Sequence, residues 1–509
     1  MTEAALKNRE PVMRPPAGGP TGFSLIWPLL IIVGAACLAC TNDSFWIDEC
    51  ISTEFAKHRT LAETWTAMRT FPEVQLPLYM LYLWICAHLF GTEEWVLRAV
   101  NLPWFITGAT VFVAYISRAV GSAVIPALLI AWSAFVWYYL NEARVYSAQL
   151  GFALALIGSA AGILQSIVMN RLNRVCWRLF LISLFLLCGT SVLGAVWGFF
   201  FFGGFLLMLG SSDRLRLLRL APGSAAACGV GLAALAGYYA WTMTLSSKPA
   251  PGATTPQTMV FVFYELLGAA GLGPGRFDLR AVGPSAVKPF VAPLLLFAGV
   301  VMIIFWRGLR EMAGRFGRRK LVIGILSVAV PLLLLCFLGV STSFRVLGRH
   351  ATPVLPFVLL ILGFGIVSLS RRRGGGGKLI VGTFLLLSLG SSLAIRFARR
   401  HEKDDYRSAA AIARVAVAND YRVWWNAAPS GAAYYNLSED SGEEQGQAGM
   451  KILVNPTRPQ IEALPPPDLI ITSKKDAYDN SGAVETYAMG RNYRADAGVS
   501  AFIIWTRAR

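Results

Sequence analysis

"LVIGILSVAVPLLLLCFLGV" occupies residues 321–340 and contains no charged side chain. Immediately before it stands "WRGLREMAGRFGRRK" (306–320), which carries five arginines and a lysine. An uncharged stretch of this length reads as a helix crossing the hydrocarbon core of a bilayer. A basic loop beside it reads as the cytoplasmic flank. The same pairing recurs along the chain. Candidate spans lie at about 24–41, 96–117, 123–140, 147–169, 178–190, 195–210, 222–245, 290–306, 321–340, 352–370 and 379–396. Further basic loops sit at Arg171/Arg174/Arg178, at Arg214/Arg216/Arg219 and in "RRRGGGGK" (371–378).

Composition supports a polytopic α-helical membrane protein. Only 15% of the 509 residues are charged and the mean hydropathy is +0.54, where a soluble domain carries about a quarter charged residues. The net charge of +17 is then explained by arginines in cytoplasmic loops rather than by nucleic-acid binding. The first apolar segment follows a basic, Pro/Gly-rich leader (1–23, with Lys7, Arg9 and Arg14) and is expected to stay as a span rather than a cleaved signal. Four histidines are too few for a His-rich metal site. Cys37 and Cys40 read as small apolar residues within the first span. Cys50 and Cys86 flank the first outer loop, where a disulfide is open.

Parity orders the loops. The segment "PLYMLYLWICAHLF" (77–90) is apolar but short for a span, and suits an interfacial or re-entrant helix. With it not crossing, and with 178–210 split into two spans, the leader and all four basic loops fall on one side. The loop 42–95, the turn near 141–145, the loop 246–289, the turn at 341–350 and the chain after about 397 fall on the other. The expected domains are a leader (1–23), a transmembrane domain (24–396) and a small α/β domain (397–509). In the last of these, strand-like runs ("RVWWN", "KILVN", "DLIITS", "SAFIIWTR") alternate with helix-like ones such as "DDYRSAAAIARVAV". "RRRGGGGK" lacks the Lys-Ser/Thr and the strand–helix setting of a nucleotide-binding loop.

The unusual ionisable residues collect on the outer side. Asp48 and Glu49 adjoin just after the first span, in "SFWIDEC". "RTFPEVQLPLY" leads to Tyr79. Glu94 and Arg98 open the second span, and Glu142, Arg144 and Tyr146 lie in "NEARVYSAQ". Arg345, Arg349 and His350 lie in "SFRVLGRHATPVLP". Each has an ordinary alternative: a solvated acid pair, a snorkelling anchor, a local ion pair, a lipid-headgroup contact. Together, acids and arginines from four loops on one face suggest a site that activates a hydroxyl and holds a phosphate.

This ordered set resembles the C-type glycosyltransferase superfamily: an Asp-Glu pair after the first span, "PLY", "E…LR", "EARVY" and a late "R…P…P". The nearest branch in pattern is that of the protein O-mannosyltransferases and aminoarabinose transferases, and the resemblance covers roughly 24–400. It implies an enzyme integral to the plasma (bacterial inner) membrane. The site and C-terminal domain would be extracytoplasmic. A sugar would pass from a polyprenyl-phosphate carrier to a hydroxyl acceptor (protein, lipid or envelope glycan) with inversion. On that pattern Asp48 is the general base and Glu49 assists or binds the acceptor. Arg349, His350, Arg345 and Arg98 meet the donor phosphate, and Tyr79, Glu94, Glu142, Arg144 and Tyr146 shape the site. The sequence departs at Gln75-Leu76-Pro77, where many members carry His-Pro-Pro, and at "AVNLPW" after the "LR". No metal ligand or required cofactor is therefore assigned, and a divalent metal stays open. Two other classes fit the composition: a transporter or flippase for lipid-linked saccharide, which would favour internal repeats that the sequence lacks, and a non-catalytic assembly subunit, indifferent to loss of Asp48.

Overall fold

The structure is a computed structural model describing residues 25–69, 71–245, 254–342, 344–372, 375–437 and 449–507. The basic leader lies outside the described residues. The chain divides into two compact units. The first comprises residues up to Cys40, Trp65–Tyr82 and Arg98–His401. The second comprises Thr41–Thr64, Leu83–Leu97 and Glu402–Arg509.

The first unit is helical. Among the described residues seven helices are long and apolar enough to cross a membrane, or eight if the pair Val192–Met208 and Ser211–Leu220, bent by 119°, counts as one. All eleven expected segments are helical, and the smaller number has a local cause. The helix Ile26–Ala39 has 14 residues. The segment 123–140 breaks at Trp132–Ser133, where the Ser133 hydroxyl caps the second piece. The segment 178–210 is two helices, Arg174–Thr190 and Val192–Met208, each of 17 residues. Ser191 between them is extended and accepts from the Gly194 N–H at 2.9 Å. Phe180 packs on Phe205, with ring centroids 4.5 Å apart, and a side chain at Gly198 would strike the Cys188 sulfur. Such pairing requires the chain to reverse at Ser191.

Burial separates core from lipid-facing helices. The most apolar window of Tyr146–Val168 is 67% buried and that of Gly348–Ser370 78%. The windows of Arg318–Ser341 and Gly375–Phe397 are each 22% buried, although they are just as apolar. Side chains such as Leu333, Phe337, Leu379 and Leu386 are exposed, as expected where the surrounding medium is hydrocarbon. At the centre, Leu102–Val120 packs along Tyr146–Val168. A Cβ on Gly108 would enter the Gly151 carbonyl, one on Gly151 the Trp104 carbonyl, and one on Gly158 the Phe112 backbone. Glycine is required there because backbone meets backbone.

The second unit is α/β. Strands β1 (Arg422–Asn426), β2 (Gly449–Ile452), β3 (Leu469–Ser473), β4 (Tyr493–Val499) and β5 (Phe502–Arg507) form one sheet in the order β2-β1-β3-β5-β4. β1 runs parallel to β2 and β3, while β5 is antiparallel to β3 and β4. Alternation along "RVWWN" sends Trp425 to one face, with Tyr406, Ile471 and Phe502. It sends Trp424 to the other, with Ile470, Val484 and Trp505. The helix Ile47–Ala56 packs against the helix Pro429–Tyr434, and Ile47 joins the first of these clusters. Thr41–Thr64 and Leu83–Leu97 belong to this unit together with the C-terminal segment.

Candidate functional site

The adjacency of Asp48 and Glu49 has a simple structural outcome. Both lie in the first turn of Ile47–Ala56, where the helix dipole favours acids. Neighbours along a helix do not face each other, so the two carboxylates meet different surroundings. Glu49 is fully buried and its Oε2 accepts from the Trp46 N–H at 3.3 Å. Asp48 is half-buried.

Around that helix the second unit builds a polar cluster. The Tyr435 hydroxyl meets Ser44 Oγ at 3.0 Å, accepts from the Phe45 N–H, and donates to Glu94 Oε1 at 3.0 Å. Arg407 pairs with the same carboxylate at 2.9 Å. Glu94 is thus held within this unit by a residue of the C-terminal segment. Lys57 donates to the Tyr434 carbonyl at 3.2 Å and lies 4.1 Å from that ring's centroid. Burial lowers its pKa, and Glu54 opposes the shift. Cys50 and Cys86 are both buried and neither is in a disulfide. Burial, then the charge of Glu49, pushes the Cys50 thiol well up, keeping it protonated.

The first unit gathers the arginines. Arg98, Asn101 and Glu142 are fully buried. Asn101 Nδ2 donates to the Tyr79 hydroxyl at 3.3 Å and to the Glu142 carbonyl at 3.5 Å. Arg144 pairs with Glu73 at 3.3 Å, both side chains about nine-tenths buried. Tyr146 lies under Arg349, whose guanidinium is 5.8 Å from the ring centroid. His350 Nδ1 accepts from the Leu347 N–H at 3.1 Å, and its carbonyl accepts from Trp197 Nε1 at 2.8 Å. Its ring therefore secures its own loop. Arg345 is exposed.

Among the assigned residues, Arg98, Tyr79, Glu142, Arg144, Tyr146, Arg349 and His350 lie in the first unit, while Asp48, Glu49 and Glu94 lie in the second. Several participants went unassigned in the sequence. Glu73 is the partner of Arg144, and Asn101 ties Tyr79 to Glu142. Glu265 forms an ion pair with Arg276 and is approached by the Tyr139 hydroxyl at 3.4 Å. A side chain at Gly348 would run into the Glu265 carboxylate, so this acid abuts the Arg349 loop. The sequence signal was present in the loop 246–289, where Glu265 and Arg276 stand eleven residues apart with no local pattern to join them. Among the described residues, no three His, Cys, Asp or Glu side chains cluster as a metal site would require.

No protein-family model and no curated protein matches the chain. Solved structures do. The crystal structure of ArnT from Cupriavidus metallidurans in the apo state matches with a TM-score of 0.53 at 12% identity, covering 95% of this chain and 98% of that one. The same protein bound to undecaprenyl phosphate matches with a TM-score of 0.50 at 11% identity, with the same coverage. The chain therefore has the fold of ArnT.

Proposed function

We propose that this protein is a membrane glycosyltransferase that moves a sugar from a polyprenyl-phosphate carrier to a hydroxyl acceptor outside the cytoplasm, with inversion. The observation that carries the reading is the end-to-end fold match to ArnT, a protein solved with undecaprenyl phosphate bound. In this reading the acceptor oxygen attacks the anomeric carbon opposite the carrier phosphate. The bond from that carbon to the phosphate oxygen breaks as the new one forms. Asp48 takes the acceptor proton late, as the sugar carbon becomes cation-like and the attacking oxygen acidifies. Glu49, capping its own helix, holds Asp48 in place and helps organise the acceptor. Arg349 meets the departing phosphate, with exposed Arg345 as a helper. His350 and fully buried Arg98 act by positioning. Glu73–Arg144, Asn101–Tyr79, Glu142 and Tyr146 frame the site, and Glu94 anchors the acid-bearing helix through Arg407 and Tyr435.

Two measurements test this. Envelope glycans and glycoproteins compared by mass spectrometry with and without the gene should differ by one sugar type; identical profiles count against transfer. Binding of undecaprenyl phosphate to the purified protein in nanodiscs tests the donor half. Arg349→Lys keeps the charge but loses the planar two-pronged donor. It is expected to weaken that binding by about ten-fold, the scale of one charge-assisted hydrogen bond, with little effect on acceptor use. An equal effect on both would move the phosphate role to another arginine.

The orientation is also part of the proposal: residues 77–90 do not cross, and the chain after about 397 is extracytoplasmic. Reporter fusions after Arg118 and after Arg400 should read inside and outside respectively. Either result reversed removes the assignment of Asp48 to the outer face.

A further inference from the structure

We propose that Lys474, in the C-terminal sheet domain, is a positioning residue for the candidate base, setting through Trp46 the start of the helix that carries Asp48. The inference rests on the reading of Asp48 as base and adds a residue that the resemblance does not supply.

The sheet puts Lys474 at a distinctive place. β1 leads to β2 on one side, and the chain then crosses back to β3 on the other. The carboxyl ends of β1 and β3 thus form the topological switch point, the part of an open parallel sheet that most often faces a ligand or partner element. Lys474 follows Ser473, the last residue of β3. Its backbone is left-handed, with φ 45° and ψ 68°. Among the described non-glycine residues with positive φ, all others except Ala501 are Asn or Asp, the side chains that tolerate this region best. A lysine held there is strained, and strain of this kind persists where the surroundings over-determine it.

The surroundings are specific. The Lys474 ammonium forms an ion pair with Asp404, the two side chains being 11% and 4% exposed. The same ammonium lies 5.8 Å from the centre of the Trp46 ring, within cation–π range. Trp46 is the residue before the helix Ile47–Ala56, its N–H donates to Glu49, and Asp48 is the second residue of that helix. The charge of Asp404 also reaches Cys50, one turn further along the same helix. Asp404 holds Lys474, Lys474 holds the Trp46 ring, and Trp46 fixes the direction of the first helical turn. Because Asp404 neutralises the ammonium, Lys474 acts by geometry rather than by supplying charge to Asp48. The C-terminal domain would then align the base while contributing none of the reacting groups.

The test uses the full chain in nanodiscs labelled with 5-fluorotryptophan, the Trp46 resonance being identified by Trp46→Phe. Lys474→Met keeps the aliphatic stem and removes the ammonium. It should shift the Trp46 fluorine resonance and slow transfer about ten-fold, the scale of a partly desolvated cation–π contact. Transfer is measured in membranes holding the endogenous donor and acceptor. Undecaprenyl phosphate affinity should stay unchanged, while the thermal midpoint falls because Asp404 is left buried without its cation. Lys474→Arg should restore both the resonance and the rate. If Lys474→Met fails to fold, Asp404→Asn/Lys474→Gly removes both charges together, so neither is stranded, and glycine suits the left-handed backbone. That protein should melt at or above the wild-type midpoint and still transfer slowly. An unmoved Trp46 resonance, a normal rate, or a rate loss that only tracks a lower midpoint overturns the proposal. If Asp48→Asn is inactive while Lys474→Met is normal, this inference alone fails. If Asp48→Asn turns over normally, the reading beneath it fails first.

Discussion

Asp48→Asn is expected to abolish transfer, with a fall of about 10²- to 10⁴-fold, the usual cost of removing a positioned base. Asparagine is nearly isosteric with aspartate, so the helix start, folding and undecaprenyl phosphate binding should be retained. The neighbouring substitution should behave differently for a reason visible in the structure. Glu49 is buried and accepts from the Trp46 N–H. In Glu49→Gln the amide oxygen can still accept that bond, so turnover should fall far less and acceptor use should carry most of the defect. Turnover and donor binding measured separately on the two variants decide the matter. Near-normal turnover by Asp48→Asn would leave the acid pair as a helix-capping feature and raise the transporter and scaffold readings.

Gly151→Leu is expected to be the corresponding lesion for stability. A Cβ at Gly151 meets the Trp104 carbonyl and the Phe105 Cα, and one at Gly108 meets the Gly151 backbone. Side chains can rotate away from an intruder; two backbones can only separate. Separation here would part the central helices Leu102–Val120 and Tyr146–Val168, and with them the segment that carries Glu142, Arg144 and Tyr146. The cost should exceed about 3 kcal/mol, beyond the usual range for overpacking. Thermal melts in detergent should show a strongly lowered midpoint or no folded protein. Gly237→Ala is the control. Nothing lies within 4 Å of a Cβ there, and alanine is the better helix former by up to about 1 kcal/mol. A Gly151→Leu protein that melts with the wild type would mean that the two helices are not in such close contact.

What was legible in the sequence follows from how local each signal is. A span announces itself within twenty residues, so every apolar segment was found. Their number was harder, because a helix such as Val124–Ala131 is as apolar as a full span yet ends at Trp132, after which Ser133 caps the start of the next helix. Most of the sheet was readable from alternation. β4 was not, since "YRADAGV" pairs only with β5 at the sheet edge and carries polar side chains. The candidate acids and arginines were found because ionisable groups stand out in an apolar chain. Their partners were not. Glu73 reaches Arg144, and Arg407 reaches Glu94, across stretches that no spacing rule connects. The grouping of Thr41–Thr64 and Leu83–Leu97 with the C-terminal segment is a long-range fact of the same kind.

That grouping has a consequence for how the protein is made. The helix bearing Asp48 leaves the ribosome long before the segments it packs on, including Pro429–Tyr434. Until then its apolar face has no partner, and contacts so distant in sequence form late. A nascent or truncated chain ending near residue 400 would thus hold the helices of the first unit and leave the Asp48 helix unfastened. On the proposed role of Asp48, transfer would begin only once the C-terminal segment has been made. It also makes a stop codon after residue 400 a lesion of the Asp48 helix as well as of the sheet.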